Sequence, residues 1–225
     1  MDIATEGKRP LIRETWNPVL AYLITSCWCD DATLRLSLDR IISILTTIMA
    51  NVGGKGIITS GTLPEPTDEA GDEQLAPGAL WRRVQTKESN IVFGKVLGEG
   101  ANATVHQGEF LEKQVAVKTF RNTSEEKATK EIEITFSLRH PNVIGLYAWF
   151  RRSGALEQFG MVLELAEGDL RSFYLDKFDK KTFTLEVGLK IVMGAAKGLA
   201  YMHSMPEPVV HRDIKVGVVI VVDSN

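Results

Sequence analysis

The stretch that most constrains the fold of this chain lies at residues 96–118 and reads VLGEGANATVHQGEFLEKQVAVK. Its pattern predicts a strand, a glycine turn, a second strand, a short turn and a third strand. Gly98 and Gly100 have no Cβ, so backbone N–H groups at this turn can come close to phosphate oxygens. An ordinary hairpin turn would explain the two glycines equally well. The surrounding residues must therefore decide between these readings.

The third predicted strand ends on a lysine. Val115 and Val117 share one face of this strand, and Ala116 and Lys118 share the other, because side chains alternate along a strand. A small apolar residue and a cation would both look under the glycine turn. This arrangement is typical of a nucleotide-binding site.

The same stretch resembles the glycine-rich loop and the following strands of protein kinases. Gly98, Gly100 and Val105 match the pattern G-x-G-x-x-G-x-V, with Ala103 in place of the third glycine. Residues 115–118 match V-A-I-K. The resemblance implies an α+β, protein-kinase-like fold, with a five-stranded antiparallel small lobe and the start of a helical large lobe.

A helix is predicted after the lysine, at residues 124–139, with Ser124 as N-cap. Glu131 lies nine residues before the H-P-N sequence that begins at His140. In protein kinases a glutamate in this register pairs with the lysine that matches Lys118, and that lysine holds the α- and β-phosphates. Without the resemblance, Glu131 would be interpreted as a solvated helix charge.

The sequence GMVLELAEGDL at residues 160–170 resembles the kinase hinge. Leu163 then takes the gatekeeper position, and the backbone from Glu164 to Ala166 offers hydrogen bonds to adenine. Asp169 matches the residue that often meets the ribose. The resemblance assigns the roof over the adenine ring to Leu97, Val105 and Ala116.

A long helix is predicted from Leu185 to Met202, with one apolar face. It leads to the sequence VVHRDIK at residues 209–215, which resembles the kinase catalytic loop. By this resemblance Asp213 orients the substrate hydroxyl or accepts its proton, and Lys215 lies near the γ-phosphate. The form H-R-D-x-K indicates serine or threonine substrates. By the same resemblance, His211 and Arg212 support the loop. The apolar face of the predicted helix consists of Leu185, Leu189, Val192, Ala196, Leu199 and Met202.

The kinase pattern fails after Lys215. Val216, Gly217 and Val218 stand where the family has P-x-N, whose asparagine holds a magnesium ion, and no D-F-G follows within the 225 residues. ATP is the implied cofactor, and Mg²⁺ is expected for the family although its ligands are absent here. We therefore expect a truncated domain with little phosphotransfer. The alternative is a pseudokinase fragment that acts as a nucleotide-binding or scaffold module.

Residues 9–50 predict two amphipathic helices joined by a polar turn. The simplest interpretation is a helical hairpin that packs on the rest of the chain. The segment also resembles the last helices of a tyrosine-kinase-like protein kinase, which would place the tail of one kinase domain before the head of another. A cut from a tandem array explains this order better than a circular permutation. The matching residues are Arg9, Pro10, Leu20, Leu23, Ile24, Cys27, Trp28, Asp31, Arg35, Ser37 and Ile41.

The predicted domains are kinase tail-like helices at 9–50, an acidic flexible linker at 51–80 and a kinase-like domain at 81–225. The kinase-like domain divides into a small lobe, 81–165, and a truncated large lobe, 166–225. The sequence leaves open whether the two kinase-like pieces contact one another.

The composition of the chain limits the classes of partner that we expect it to bind. The apolar fraction of 44% supports a folded core, and the net charge of −3 gives no bulk attraction to nucleic acid or to anionic lipid. Cys27 and Cys29 are poorly placed to pair with each other and too few for a zinc site. We expect a cytoplasmic protein that binds ATP and an unidentified protein substrate or partner, with no nucleic acid and no membrane.

Overall fold

The computed structural model describes residues 12, 16, 18–28, 30–52, 77–152, 158–166, 168–170, 184–215 and 220–221. Several sequence predictions lie outside these residues: those on Arg9, Pro10 and Cys29, on most of the linker, and on residues 216–218. No helix in the described part is long and apolar enough to cross a membrane. Contacts divide the chain into two compact units, Met1–Ile57 with Lys177–Val210 and Ile58–Asp176 with His211–Asn225.

The second unit is built on a six-stranded sheet in the order β1-β5-β6-β4-β3-β2. The five strands from β2 to β6 pair antiparallel with their neighbours, as the sequence predicts. A further antiparallel pair is formed by β7 and β8. The strands are β1 (Gln85–Lys87), β2 (Ile91–Glu99), β3 (Ala103–Phe110), β4 (Lys113–Phe120), β5 (Leu146–Arg152), β6 (Gln158–Glu164), β7 (Gly168–Asp169) and β8 (Ile220–Val221).

The sheet differs from the predicted five strands by one edge strand, β1, which pairs parallel to β5. Its three residues, Gln85 to Lys87, are polar and too few to show an alternating pattern. A 3-10 helix, Pro77–Val84, leads into β1. This 3-10 helix begins inside the range predicted as linker, at Pro77.

Two apolar cores cover the two faces of the sheet. One face packs against helix α3 (Glu125–Ser137), and the residues of this core are Trp81, Phe120, Ala128, Ile132, Leu146, Trp149, Phe159 and Met161. The other core consists of Ile91, Val115, Val117, Ala148, Phe150 and Val162. Val115 and Val117 are fully buried, whereas Ala116 and Lys118 between and after them are half-buried, as the alternation predicts.

The described residues of the first unit include a 3-10 helix, Ala32–Leu34, and the α-helices α1 (Pro18–Cys27), α2 (Leu38–Val52) and α4 (Leu185–His203). Thr184 is the N-cap of α4, and its side chain accepts a hydrogen bond from the Val187 N–H. One apolar cluster joins the three helices through Leu23, Ile44, Leu45, Ile48, Leu189 and Met193. The two N-terminal helices and α4 therefore share one apolar core.

The apolar face of α4 is rotated from the predicted one. Leu185 and Val192, both predicted to be buried, are 50% and 49% exposed. Met193, which the prediction omitted, is buried at 6% exposure. The prediction was wrong at these positions because the helix has to face α1 and α2, and their direction is not visible in the pattern of one helix. Leu189, Ala196 and Met202 are buried as predicted.

Candidate active site

Lys118 and Glu131 form an ion pair between β4 and α3. The Lys118 Nζ lies 2.5 Å from the Glu131 Oε1, and the two side chains are 26% and 45% exposed. Lys118 sits inside the sheet, opposite Val105 on β3 and Met161 on β6. The Phe120 ring centroid lies 5.2 Å from the Lys118 Nζ. The structure thus holds one lysine in a fixed direction, with its charge balanced by a helix carboxylate.

The residues predicted to enclose a purine lie on neighbouring strands. Gly98 pairs with Val105, and Val105 in turn pairs with Lys118. Ala116 pairs with Leu163, the predicted gatekeeper. The half-buried side chains of Val105, Ala116 and Leu163 therefore belong to adjoining strands of one sheet.

Leu97 lies at an irregular position of β2. The register shifts by one residue between Val96 and Gly98, which leaves Leu97 as the extra residue of a β-bulge. Its side chain is 46% exposed, next to Val96 at 55%. A bulge redirects a side chain, and alternation along the sequence cannot reveal one.

The glycine turn between β2 and β3 is open to its surroundings. A Cβ added at Gly98 would meet no heavy atom within 4 Å, and one at Gly100 would lie 3.7 Å from the Ala103 carbonyl oxygen. Neither residue needs to be glycine for internal packing. At Gly108, by contrast, a Cβ would lie 2.8 Å from a Val117 methyl carbon. The two turn glycines therefore fit a close approach from outside the protein.

The predicted hinge is held by its neighbours. The Glu164 N–H donates to the Gly145 carbonyl at 3.0 Å, and a Glu164 carboxylate oxygen accepts from the Gly145 N–H at 3.4 Å. Burial and, second, the negative charge of Glu164 raise the pKa of Tyr147, so this phenol is neutral at physiological pH. Because the Glu164 N–H is already used, a bound adenine would need other backbone groups of the segment.

The remaining predicted hinge residues follow β6. Ala166 is half-buried. Asp169, also half-buried, is the second residue of β7 and pairs with Ile220 of β8. The segment therefore bends from the large sheet into a separate two-stranded pairing.

The catalytic-loop residues carry their own local contacts. The Lys215 Nζ donates to an Asp213 carboxylate oxygen at 2.8 Å, and both side chains are more than 60% exposed, at 62% and 65%. The Asp213 N–H donates to the His211 Nδ1 at 3.3 Å. Arg212 has a φ of 63°, which is the left-handed region. A non-glycine residue held there costs ~1–3 kcal/mol, and such strain concentrates at functional sites.

Comparison with known proteins gives the family. The family model described as protein kinase domain matches residues 91–225. The chain belongs to the protein kinase family. This match confirms the kinase resemblance of residues 91–225. The roles assigned to single residues of the glycine turn, the hinge and the catalytic loop stay predictions. The resemblance of residues 9–50 to a kinase tail lies before the matched range and stays a prediction.

Several curated relatives are protein kinases by name. A putative mitogen-activated protein kinase kinase kinase 7-like protein of Drosophila melanogaster is 36% identical over 124 residues, which cover 54% of this chain and 31% of that protein. The serine/threonine-protein kinase TNNI3K of Mus musculus is 30% identical over 173 residues, covering 72% of this chain and 20% of that protein. This chain therefore spans less than a third of the length of these kinases.

Kinase domains in general use ATP and Mg²⁺. Among the residues that the structure describes, no group of three or more acidic, histidine or cysteine side chains is placed to hold a metal ion.

Sequence reasoning missed one residue that contacts the glycine turn, Arg121. Its guanidinium binds the Glu99 carboxylate at 2.5 Å and the Gly100 carbonyl at 2.7 Å. The signal in the sequence was its position three residues after Lys118, immediately after the end of the same strand. A single arginine at a strand end is too common to be singled out without the tertiary contact.

Proposed function

We propose that this kinase chain binds ATP through its small lobe, as part of a protein that transfers the γ-phosphate to serine or threonine hydroxyls. The single observation that carries the proposal is the ion pair of Lys118 and Glu131. A lysine in the middle of a sheet strand is held there by a carboxylate from another element. This ion pair orients the Lys118 ammonium, which favours a role in binding an anionic ligand over that of a solvated surface lysine.

The residues divide the proposed work between them. Lys118 binds the α- and β-phosphate oxygens, and Glu131 orients Lys118. The purine lies against Val105 and Ala116, whose half-buried apolar side chains offer a surface that excludes water. When bound, Mg²⁺ neutralises charge on the phosphates.

At the catalytic loop, Asp213 would orient the substrate hydroxyl or accept its proton. Lys215 would stabilise the transferring phosphate, because its ammonium is held beside this reaction site by Asp213 at 2.8 Å. The strained backbone of Arg212 supports a loop whose shape serves a function.

A second candidate function is nucleotide binding with little or no turnover. The observation that favours it is the sequence Val216, Gly217, Val218 in place of P-x-N. Valine cannot ligate a metal, so the charge that develops on the phosphates would lack one protein-held ion. We propose that this 225-residue chain binds ATP and transfers phosphate weakly. We also propose that it is cytoplasmic, where the reducing environment keeps the Cys27 thiol reduced.

The first test is ATP binding by the full 225-residue chain, measured by titration calorimetry and thermal shift. Lys118→Met removes the phosphate contact, and a hydrogen bond to a charged group is worth ~1.5–3 kcal/mol, so affinity should fall about 10- to 100-fold. Lys113→Met is the matched control, because Lys113 is an exposed lysine at the start of the same strand. This control should bind ATP like wild type.

Two outcomes would contradict the proposal. If the wild-type chain binds no ATP, or if Lys118→Met and Lys113→Met bind equally well, the nucleotide site is not at Lys118. Transfer of radiolabelled γ-phosphate to a mixed serine/threonine peptide library then separates the two candidate functions. Robust turnover that Lys118→Met abolishes would refute weak transfer and establish an active kinase.

A further inference from the structure

Arg121 lies immediately after β4 and makes three contacts with the turn between β2 and β3. Its backbone N–H donates to the Asn102 carbonyl at 2.7 Å. Its Nη1 donates to the Glu99 carboxylate at 2.5 Å, and its Nη2 donates to the Gly100 carbonyl at 2.7 Å. Arg121 thus binds the side chain of Glu99 and the main chain of Gly100 and Asn102.

These contacts constrain the direction of the turn peptides. The peptide bonds of this turn are trans, as are the others in the part of the chain that the structure describes, so the carbonyl and the N–H of each peptide unit point in opposite directions. The Gly100 carbonyl points at Arg121, and the Ala101 N–H on the same peptide unit therefore points away from it. The Gly100 N–H is used within the turn, where it donates to the Ala103 carbonyl at 2.9 Å. The two contacts together fix the orientation of the Gly100–Ala101 peptide unit.

The neighbouring glycines need such a restraint. A Cβ at Gly98 would meet open space within 4 Å, and a Cβ at Gly100 would make only an ordinary contact, 3.7 Å from the Ala103 carbonyl oxygen. Glycine also has the largest conformational freedom to lose, so a turn of this composition is intrinsically mobile. A planar guanidinium that donates to two partners at once fixes orientation better than a point charge does.

We propose that Arg121 is a positioning residue that sets the glycine turn for the phosphates of a nucleoside triphosphate, and that Glu99 holds its guanidinium in place. This inference rests on the proposed ATP binding. Arg121 acts through the backbone of the turn and does not itself need to touch the nucleotide. With its charge balanced by Glu99, the guanidinium stays on the turn.

The test compares ATP with adenosine, which lacks phosphates, on the full chain by titration calorimetry. Glu99→Gln and Arg121→Gln should weaken ATP about tenfold, which corresponds to ~1.4 kcal/mol, and leave adenosine affinity unchanged. Glu125→Gln is the matched control, because Glu125 also pairs with an arginine, Arg151, at 2.5 Å and is similarly exposed, at 57% against 62% for Glu99. It should change neither affinity.

Amide hydrogen exchange at Gly100, whose N–H donates to the Ala103 carbonyl, should become faster without nucleotide in Glu99→Gln and Arg121→Gln only. A merely structural role would weaken ATP and adenosine together, which would overturn the inference. Equal ATP-to-adenosine ratios in Glu99→Gln, Glu125→Gln and wild type would also overturn it while leaving ATP binding intact. A wild-type chain that binds neither ligand would refute the proposed function and this inference together.

Discussion

Two glycines of the sheet separate the demands of folding from those of ligand binding. Gly160 on β6 lies opposite Phe150 of β5. A Cβ at Gly160 would lie 2.2 Å from the Phe150 Cζ, and Phe150 is fully buried at 0% exposure. The ring cannot move without displacing its core neighbours. Overpacking costs ~1–3 kcal/mol, and so severe an overlap places Gly160→Ala at about 3 kcal/mol of lost unfolding free energy.

Gly98→Ala is the matched contrast, because it adds the same methyl group to an open site. A Cβ there meets no heavy atom within 4 Å, and the φ of Gly98 is outside the left-handed region. The unfolding free energy should therefore stay within about 1 kcal/mol of wild type. If phosphates approach this turn, the added methyl should still weaken ATP binding, by about tenfold, or ~1.4 kcal/mol.

Urea unfolding monitored by tryptophan fluorescence measures both variants. Trp81 and Trp149 are buried in the sheet core and report on its loss, and an unchanged m-value licenses the comparison of midpoints. The reasoning would be refuted by a Gly160→Ala chain as stable as wild type. It would equally be refuted by a Gly98→Ala chain that loses more than about 2 kcal/mol, because that site would then be packed.

Two further predictions concern the cores. Leu45→Ala should lower the free energy of unfolding of the helical unit by about 3 kcal/mol, because Leu45 is 1% exposed between the helices. Urea unfolding followed by far-UV circular dichroism measures this change. The control is Tyr22→Ala, which alters a residue that is 56% exposed and should change the free energy of unfolding by less than about 0.5 kcal/mol. Trp149→Phe removes the indole N–H that donates to the Trp81 carbonyl at 2.9 Å. The free energy of unfolding of the sheet should fall by about 1–3 kcal/mol, which lowers the thermal or urea midpoint. An unchanged midpoint would show that the hydrogen bond contributes nothing.

Short-range chemistry made much of the small lobe predictable. The alternation around Val115 and Val117 predicted which face of β4 is buried, because the period of a strand is a local property. Ser124 predicted the start of α3, since its side chain accepts a hydrogen bond from the Lys127 N–H. The resemblance to protein kinases predicted Glu131 as the partner of Lys118, and the two side chains form an ion pair.

Features that depend on distant neighbours were not predictable in the same way. The bulge at Leu97 depends on the register of β2 against β3. The polar strand β1 exists because β5 offers it a free edge. The rotation of α4, which buries Met193 and exposes Val192, depends on where α1 and α2 meet it.

By itself the sequence determined the family, the alternating strands, the caps and the lysine that the site is built around, because each depends on residues close together in the chain or on motifs in fixed register. Only the tertiary structure decided that the N-terminal helices cover α4 and that Arg121 holds the glycine turn. Those contacts join residues about 20 or more positions apart, and no local periodicity records them.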